Sequence, residues 1–187
     1  MRERRTLANV LLIGFGVVYP AAVFFLRGTV DPALFIVVAL AIVAIRLTLG
    51  TSGSESWRPA LLVAAAALVV LALLDAGLAV RAYPVLISLA AACVFAVTLW
   101  QPPSLIERLA IASGEPWSPA LRVYCRNVTF IWALWLGLNA AIAAGLALAH
   151  DDQAWALWTG LLSYLVSGAL LGGEWLVRRK VSRQIPR

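Results

Sequence analysis

The sequence predicts an all-α, polytopic membrane protein with about six transmembrane helices and one short interfacial helix, all within a single membrane domain, 1–187. Three observations predict this fold. Of the 187 residues, 63% are hydrophobic and 13% are charged, whereas an average soluble domain has about 25% charged residues. The apolar residues form long runs that are separated by short polar, Gly- and Pro-containing stretches. The basic residues stand at the ends of these runs, as they do in membrane proteins.

The first apolar run, 7–26, has about 20 residues, which is long enough to cross a bilayer and longer than the core of a signal peptide. We therefore expect a retained first span. Gly28 and Pro32 mark the break that follows it, and the polar stretch 50–59 is the clearest loop in the sequence. The six predicted spans are 7–26, 33–49, 60–74, 84–100, 121–149 and 154–177.

The boundary between the third and fourth spans is the least polar of the breaks. Asp75, Gly77 and Arg81 predict a turn there, and Pro84 is expected to open the fourth span. Asp75 and Arg81 would then stand at the outer ends of two helices. We expect these two side chains to pair across the turn.

The interfacial helix, 104–112, follows the helix-stopping sequence Gln101-Pro-Pro103. Ser104 is suited to be its N-cap, and Glu107 stands three residues later, as in a capping box. Leu105, Ile106 and Leu109 fall on one side, and Glu107 and Arg108 fall on the other. This pattern predicts a helix that lies along the membrane surface with its charged side in water.

The distribution of the basic residues sets the orientation of the six spans. The chain has 15 Lys and Arg residues, and with six spans all but Arg27 and Arg81 fall on the same side as the two termini. By the positive-inside rule that side is the cytoplasm. A five-span arrangement would place one of the terminal basic clusters outside. The basic residues on the predicted cytoplasmic side are Arg2, Arg4, Arg5, Arg46, Arg58, Arg108, Arg122, Arg126, Arg178, Arg179, Lys180, Arg183 and Arg187.

A polar stripe on the last span is the first candidate for a functional role. Thr159, Ser163 and Ser167 follow at four-residue steps, and Glu174 is seven residues further on. Such a stripe faces the interior of a helical bundle, where it provides either a polar path or helix packing. Glu174 is also spaced to pair with Arg178 on the same helix.

The fifth span carries the second group of candidates. Trp132, Trp135 and Asn139 share one helical face, and Asn139 needs a hydrogen-bond partner that the stripe of the last span could supply. This face serves either in helix packing or as a lipid or polyene site. At the inner end of the span, Arg122, Tyr124 and Arg126 are expected to contact lipid headgroups.

The remaining candidates indicate packing rather than chemistry. Gly168 and Gly172 form a G-x-x-x-G motif, which predicts close helix packing within the chain or in a homodimer. Cys93 and Cys125 lack a metal or redox spacing, and we expect both thiols to be buried. No known catalytic motif is present. The sequence therefore predicts no catalytic residue, metal or cofactor, and its net charge of +6 does not form a basic face for nucleic acid.

Three stretches of the second half support a family resemblance: Gln101–Ala110, Tyr124–Thr129 continuing to Asn139, and Trp155–Gly160 continuing to Arg179. They resemble an uncharacterised family of bacterial inner-membrane proteins encoded in aryl-polyene and xanthomonadin-type pigment gene clusters. Asn127 departs from that family's pattern, which has a second arginine there. Arg81-Ala-Tyr-Pro84 and the Trp-x6-Asn spacing more distantly resemble the intracellular septation protein A family.

The resemblance implies a pathway context and leaves the mechanism open. Together with the aromatic fifth span and the polar stripe that ends at Glu174, it leads us to expect a non-catalytic inner-membrane protein that assists assembly or movement of an envelope lipid or a lipid-like aryl-polyene pigment. The implied partners are the bilayer, a lipid or polyene ligand, and membrane or cytoplasmic biosynthetic proteins. Three alternatives stay open. They are a small lipid or polyene transporter using Asn139, Ser167 and Glu174, a scaffold that recruits cytoplasmic synthases through 104–112, and an intramembrane transferase.

Overall fold

The computed structural model describes residues 25–26, 29, 31–48, 57–112, 114 and 118–182. Within these ranges the regular structure is entirely α-helical apart from one π-helical turn. The predicted first span, 7–26, lies almost wholly outside them. The helices are α1 Pro32–Thr48, α2 Trp57–Leu74, α3 Ala76–Trp100, α4 Leu105–Ala112, α5 Pro119–Leu148, α6 Asp152–Leu157 and α7 Ser163–Ser182, with the π-helical turn Trp158–Leu162 joining α6 to α7.

Four helical segments are long and apolar enough to cross a membrane: Trp57–Leu74, Ala76–Trp100, Pro119–Leu148 and Asp152–Val177. A shorter apolar segment, Ala33–Ile45, lies within α1. Large apolar side chains on these helices remain exposed, among them Leu73 at 82%. Because so much exposed apolar surface needs a lipid environment, it fits a multi-pass membrane protein.

The predicted turn between the third and fourth spans is wrong in its extent. It consists of Asp75 alone, and α3 begins at Ala76, eight residues before the predicted start. The Asp75 carboxylate caps α3 by accepting a hydrogen bond from the Leu78 N–H at 3.1 Å. Pro84 lies inside the helix. The segment before it continues the helix because Val80 and Tyr83 bury their side chains in the core, which offsets the one hydrogen bond that proline cannot donate.

The main core lies where α1, α2 and α3 meet the C-terminal end of α5 and the short helix α6. Trp155 is its largest fully buried side chain, at 2% exposure. Small residues such as Ala39 and Ala79 let the helices approach closely. The buried members of this core are Phe35, Ile36, Ala39, Ile42, Val43, Leu61, Leu68, Ala79, Val80, Tyr83, Ala147 and Trp155.

The short helix α4 has the predicted bounds but a different orientation. Glu107, expected in water, is 5% exposed, whereas Leu109, expected on the apolar side with buried Leu105, is 57% exposed. Glu107 points inward because its carboxylate accepts from the Ser104 N–H at 3.2 Å and pairs with Arg122 at 3.6 Å. The Glu107 half of the predicted capping box is therefore confirmed, whereas the Ser104 hydroxyl is buried and has no hydrogen-bond partner among the described residues. The predicted water-facing side is wrong.

Two threonines on neighbouring helices hold the start of α4. The Leu105 N–H donates to Thr98 Oγ1 at 3.1 Å, and the Ile106 N–H donates to Thr129 Oγ1 at 3.3 Å. The first N–H groups of a helix have no partner within the helix, so these hydroxyls satisfy donors that would otherwise be buried unpaired. The helix is thereby fixed to both α3 and α5.

Candidate functional site

An apolar groove of about 470 Å³ lies between α2 and α3. Since the single-residue turn at Asp75 makes these two helices antiparallel neighbours, the groove lies between the first part of α2 and the second half of α3. Its residues on α3 recur at helical spacing and form one continuous face. The lining consists of Pro59, Ala60, Val63 and Ala64 from α2, and Leu86, Leu89, Ala90, Cys93, Val94, Val97 and Gln101 from α3.

The groove contains one of the two cysteines. Cys93 is exposed, so the expectation of two buried thiols is wrong for it and confirmed for Cys125 alone. Pro59 and Gln101 line one end of the groove, and the exposed Arg58 precedes Pro59 in the chain. The groove therefore combines apolar walls with the amide of Gln101 at that end.

A hydrogen-bonded network joins three helices in the middle of the bundle. Asn139 on α5 donates to Ser88 Oγ of α3 at 3.0 Å and accepts from the indole N–H of Trp158 at 2.9 Å. In the last span, Asn139 is therefore bonded to Trp158 of the π-helical turn and not to the predicted polar stripe. Both ends of the Asn139 amide are used, as burial away from water requires.

The polar stripe also has its hydrogen bonds inside the bundle. Ser167 accepts from the indole N–H of Trp135 at 2.9 Å and donates to the Ser163 carbonyl at 2.7 Å. Thr159 donates to the Trp155 carbonyl at 2.7 Å. The Trp135 bond ties α7 to α5, and the other two bonds stay within the last span. These hydroxyls are used inside the bundle, which supports helix packing over an open polar path.

The aromatic residues of α5 contact rings on both neighbouring helices. The ring of Trp132 lies 6.3 Å from that of Phe95 on α3, and the ring of Trp135 lies 6.4 Å from that of Trp158. Both pairs are tilted at distances typical of favourable aromatic contacts. Trp132 and Trp135 therefore each take part in an aromatic contact between α5 and a neighbouring helical segment.

Glu174 lines a second cavity of about 240 Å³, between α4, α5 and α7. Its backbone carbonyl accepts a hydrogen bond from the Tyr124 hydroxyl at 3.3 Å. Leu109 and Leu171 also line this cavity and are 57% and 55% exposed, so it opens outward between α4 and α7. The predicted partner of Glu174, Arg178, has a side chain outside the described part of the structure.

Arg122 and Arg126, in the first turns of α5, both have partners within the protein. Arg122 pairs with Glu107, and Arg126 donates to the Leu99 carbonyl at 2.8 Å. Arg108 donates to the carbonyl oxygens of Pro103 and Gln101. Arg126 and Arg108 therefore bind carbonyl groups at the C-terminal end of α3, where positive charge complements the helix dipole. Arg122 and Arg126 are also exposed, so contact with headgroups remains a prediction.

The predicted pairing of Asp75 with Arg81 is wrong. Arg81 forms a salt bridge of 2.9 Å with Asp152 and donates to His150 Nδ1 at 2.9 Å. The salt bridge links α3 to Asp152 at the start of α6. His150 lies just before α6 and adopts a left-handed backbone with φ 54°. Among the described residues, no group of three or more His, Cys, Asp or Glu side chains could hold a metal.

The glycines of the G-x-x-x-G motif face open space. A Cβ atom added at Gly168 or Gly172 would meet no atom within 4 Å in the described structure. Close packing within the chain is therefore not seen at these positions. The alternative prediction, a homodimer, stays untested.

Sequence reasoning missed the groove and the partners Ser88, Trp158, Thr98 and Thr129. The spacing of Leu86, Ala90, Cys93 and Val97 could have indicated a single apolar face on α3. The hydroxyl partners carry no comparable signal, because a serine or threonine within an apolar helix commonly bonds a backbone carbonyl of its own helix. Comparisons with protein-family models, curated proteins and solved structures give no match to this chain.

Proposed function

We propose that this protein is a non-catalytic, multi-pass inner-membrane protein that holds the apolar chain of an envelope lipid or an aryl-polyene pigment during its assembly or movement. The observation that carries this proposal is the groove between α2 and α3. Its volume of about 470 Å³ falls within the range of small-molecule sites.

The shape and chemistry of the groove favour a single unbranched chain. From Leu86 to Gln101 it follows about four turns of α3, or about 22 Å. The small side chains of Ala60, Ala64 and Ala90 leave space between the two helices along part of that length. Gln101 lines one end, and Arg58 precedes the lining residue Pro59 in the chain, so we expect these two residues to suit the polar or anionic head of an amphiphile.

The proposed topology has six spans, with both termini in the cytoplasm. The four long apolar helices, the shorter apolar segment of α1 and the predicted span 7–26 would supply the six. The charge distribution supports this orientation because thirteen of the 15 basic residues then fall on the cytoplasmic side. Pro59 and Gln101 accordingly stand at the inner end of the groove.

The pigment context rests on the resemblance of the second half of the chain, and it is tested genetically. Deletion of the gene should change extractable pigment or envelope lipid, and wild-type protein should restore it. Ala60→Phe, which fills the groove, should fail to restore it. Ala66→Phe is the matched control, because Ala66 is exposed on α2 outside the groove. Unchanged pigment, lipid and envelope integrity after deletion would contradict the proposal.

The groove itself is tested with purified full-length protein and a photoactivatable fatty acid. Crosslinks should map to α2 and α3 and decrease at least about fivefold in Ala60→Phe but not in Ala66→Phe. Alkylation of the exposed Cys93 thiol should be slowed by the same fatty acid. Crosslinks confined to the span 7–26 or spread evenly over all helices would count against a chain-binding groove.

A further inference from the structure

The cavity between α4, α5 and α7 differs from the groove in charge and position. We propose that it binds the ammonium group of an ethanolamine phospholipid, with the Glu174 carboxylate as counter-ion and the Tyr124 ring as an aromatic wall. This site is separate from the proposed chain-binding groove, because α5 and α7 line it whereas α2 and α3 line the groove. It can therefore exist whether or not the groove holds a lipid or polyene chain.

The lining of the cavity carries a single sign of charge. Among the described residues that line it, Glu174 is the only charged one, and most of the others are apolar. A carboxylate on an apolar wall near the membrane interface is stabilised by a cation that enters with it. The cavity of about 240 Å³ is large enough for a small ammonium headgroup and excludes a folded protein segment.

The second argument is that the basic residues of the same turns of α5 are engaged elsewhere. Arg122 pairs with Glu107 at 3.6 Å, and Arg126 donates to the Leu99 carbonyl at 2.8 Å. Their positive charges are thus directed to α4 and to the end of α3. Among the side chains that the structure describes, the cavity is left with the negative charge of Glu174 on its lining.

The third argument concerns Tyr124. Its hydroxyl donates to the Glu174 backbone carbonyl at 3.3 Å, which holds the phenol ring beside the cavity. Aromatic faces attract ammonium groups, and a carboxylate beside an aromatic ring is a favourable environment for them. An anionic headgroup without an ammonium group would instead meet the repulsion of Glu174.

The position of the cavity fits a lipid that enters from the inner leaflet. Glu174 stands eight residues before Ser182, where α7 ends, which is a rise of about 12 Å. The short helix α4 forms one wall, and the exposed Leu109 and Leu171 border the opening. A headgroup can thus occupy the cavity while its acyl chains remain in the surrounding membrane.

The test is native mass spectrometry of the full-length protein titrated with phosphatidylethanolamine or phosphatidylglycerol. Wild-type protein should retain phosphatidylethanolamine with about tenfold higher affinity than Glu174→Gln, and phosphatidylglycerol should show no such loss. Asp31→Asn is the control, because it also replaces a carboxylate by an amide, at an exposed position that does not line the cavity. Equal retention of phosphatidylethanolamine by wild type and Glu174→Gln would overturn the proposal.

Two further measurements ask whether the ammonium group alone is recognised and whether Glu174 acts directly or through Arg178. Free ethanolamine that competes with the lipid would show that the ammonium group alone is recognised, and failure to compete would show that the attached lipid is also needed. Both results support the site. Arg178→Gln removes the cation one turn after Glu174, and retention should stay equal or rise. A loss as large as that of Glu174→Gln would overturn the proposal, because the carboxylate would then act through Arg178.

Discussion

Trp158 and Ser167 both form hydrogen bonds to α5, although nine residues separate them on the last helix. In a regular α-helix, residues nine apart point in opposite directions, since each residue turns the helix by about 100°. The π-helical turn Trp158–Leu162 lies between them and adds a residue to the local turn. Trp158 and Ser167 thereby both face α5. We infer that the π-helical turn allows Asn139 to bond Trp158 while Trp135 bonds Ser167.

The first prediction concerns Asn139, the centre of that network. Asn139→Leu should lower the free energy of unfolding by about 1 kcal/mol, because it removes two interhelical hydrogen bonds of about 0.6 kcal/mol each. It also leaves Ser88 and Trp158 without their partner. Reversible unfolding in mixed detergent micelles measures the change. Asn127→Leu, at an exposed position of α5, is the control, and equal losses in both variants would contradict the network.

The second prediction concerns the attachment of α4. Thr129→Val keeps the shape of the side chain but removes the acceptor for the Ile106 N–H. We expect a loss of about 1–2 kcal/mol in the free energy of unfolding, and faster hydrogen exchange of the amides in α4. Thr129→Ser retains a hydroxyl and should behave like wild type. Unchanged exchange in Thr129→Val would show that α4 is held by its other contacts.

The third prediction concerns the salt bridge between Arg81 and Asp152. The side chains of Arg81 and Asp152 are 23% and 32% exposed, so their coupling should be small, about 0.2–1 kcal/mol, and weaker at high salt. A double-mutant cycle with Arg81→Gln and Asp152→Asn measures it. The same cycle with Asp75→Asn should give no coupling to Arg81. Coupling to Asp75 in place of Asp152 would restore the pairing that the sequence alone suggested.

The sequence predicts the positions of the helices better than it predicts their faces. The start of α5 lies two residues before the predicted start of the span, 121, and it has local signals that the prediction did not use. Ser118 accepts from the Leu121 N–H and Pro119 begins the helix. The limits of α4 likewise follow from Ser104 and Glu107. These features depend only on residues a few positions apart, so a single segment is enough to reveal them.

What the sequence does not reveal depends on contacts between segments. Glu107 turns inward because Arg122, fifteen residues away, meets it there. Pro84 lies within a helix because the flanking apolar residues are buried by α1 and α2. The groove and the cavity each require two or three helices to form their walls. Hydropathy and spacing describe one helix at a time, so they could identify Glu174 but not the residues around it.

The last prediction concerns the exposed glycines of α7. Because an added Cβ at Gly168 or Gly172 meets no atom within 4 Å, alanine should fit at both positions and stabilise the monomer by about 0.5–1 kcal/mol each. If the G-x-x-x-G motif instead joins two copies of the chain, Gly168→Leu should weaken the dimer while the monomer stays folded. Unfolding in micelles measures the first effect, and crosslinking in membranes measures the second. Gly145→Ala, at an equally open position of α5, is the control for both. A clear loss of monomer stability in Gly168→Ala would show that another part of the same chain packs against this face.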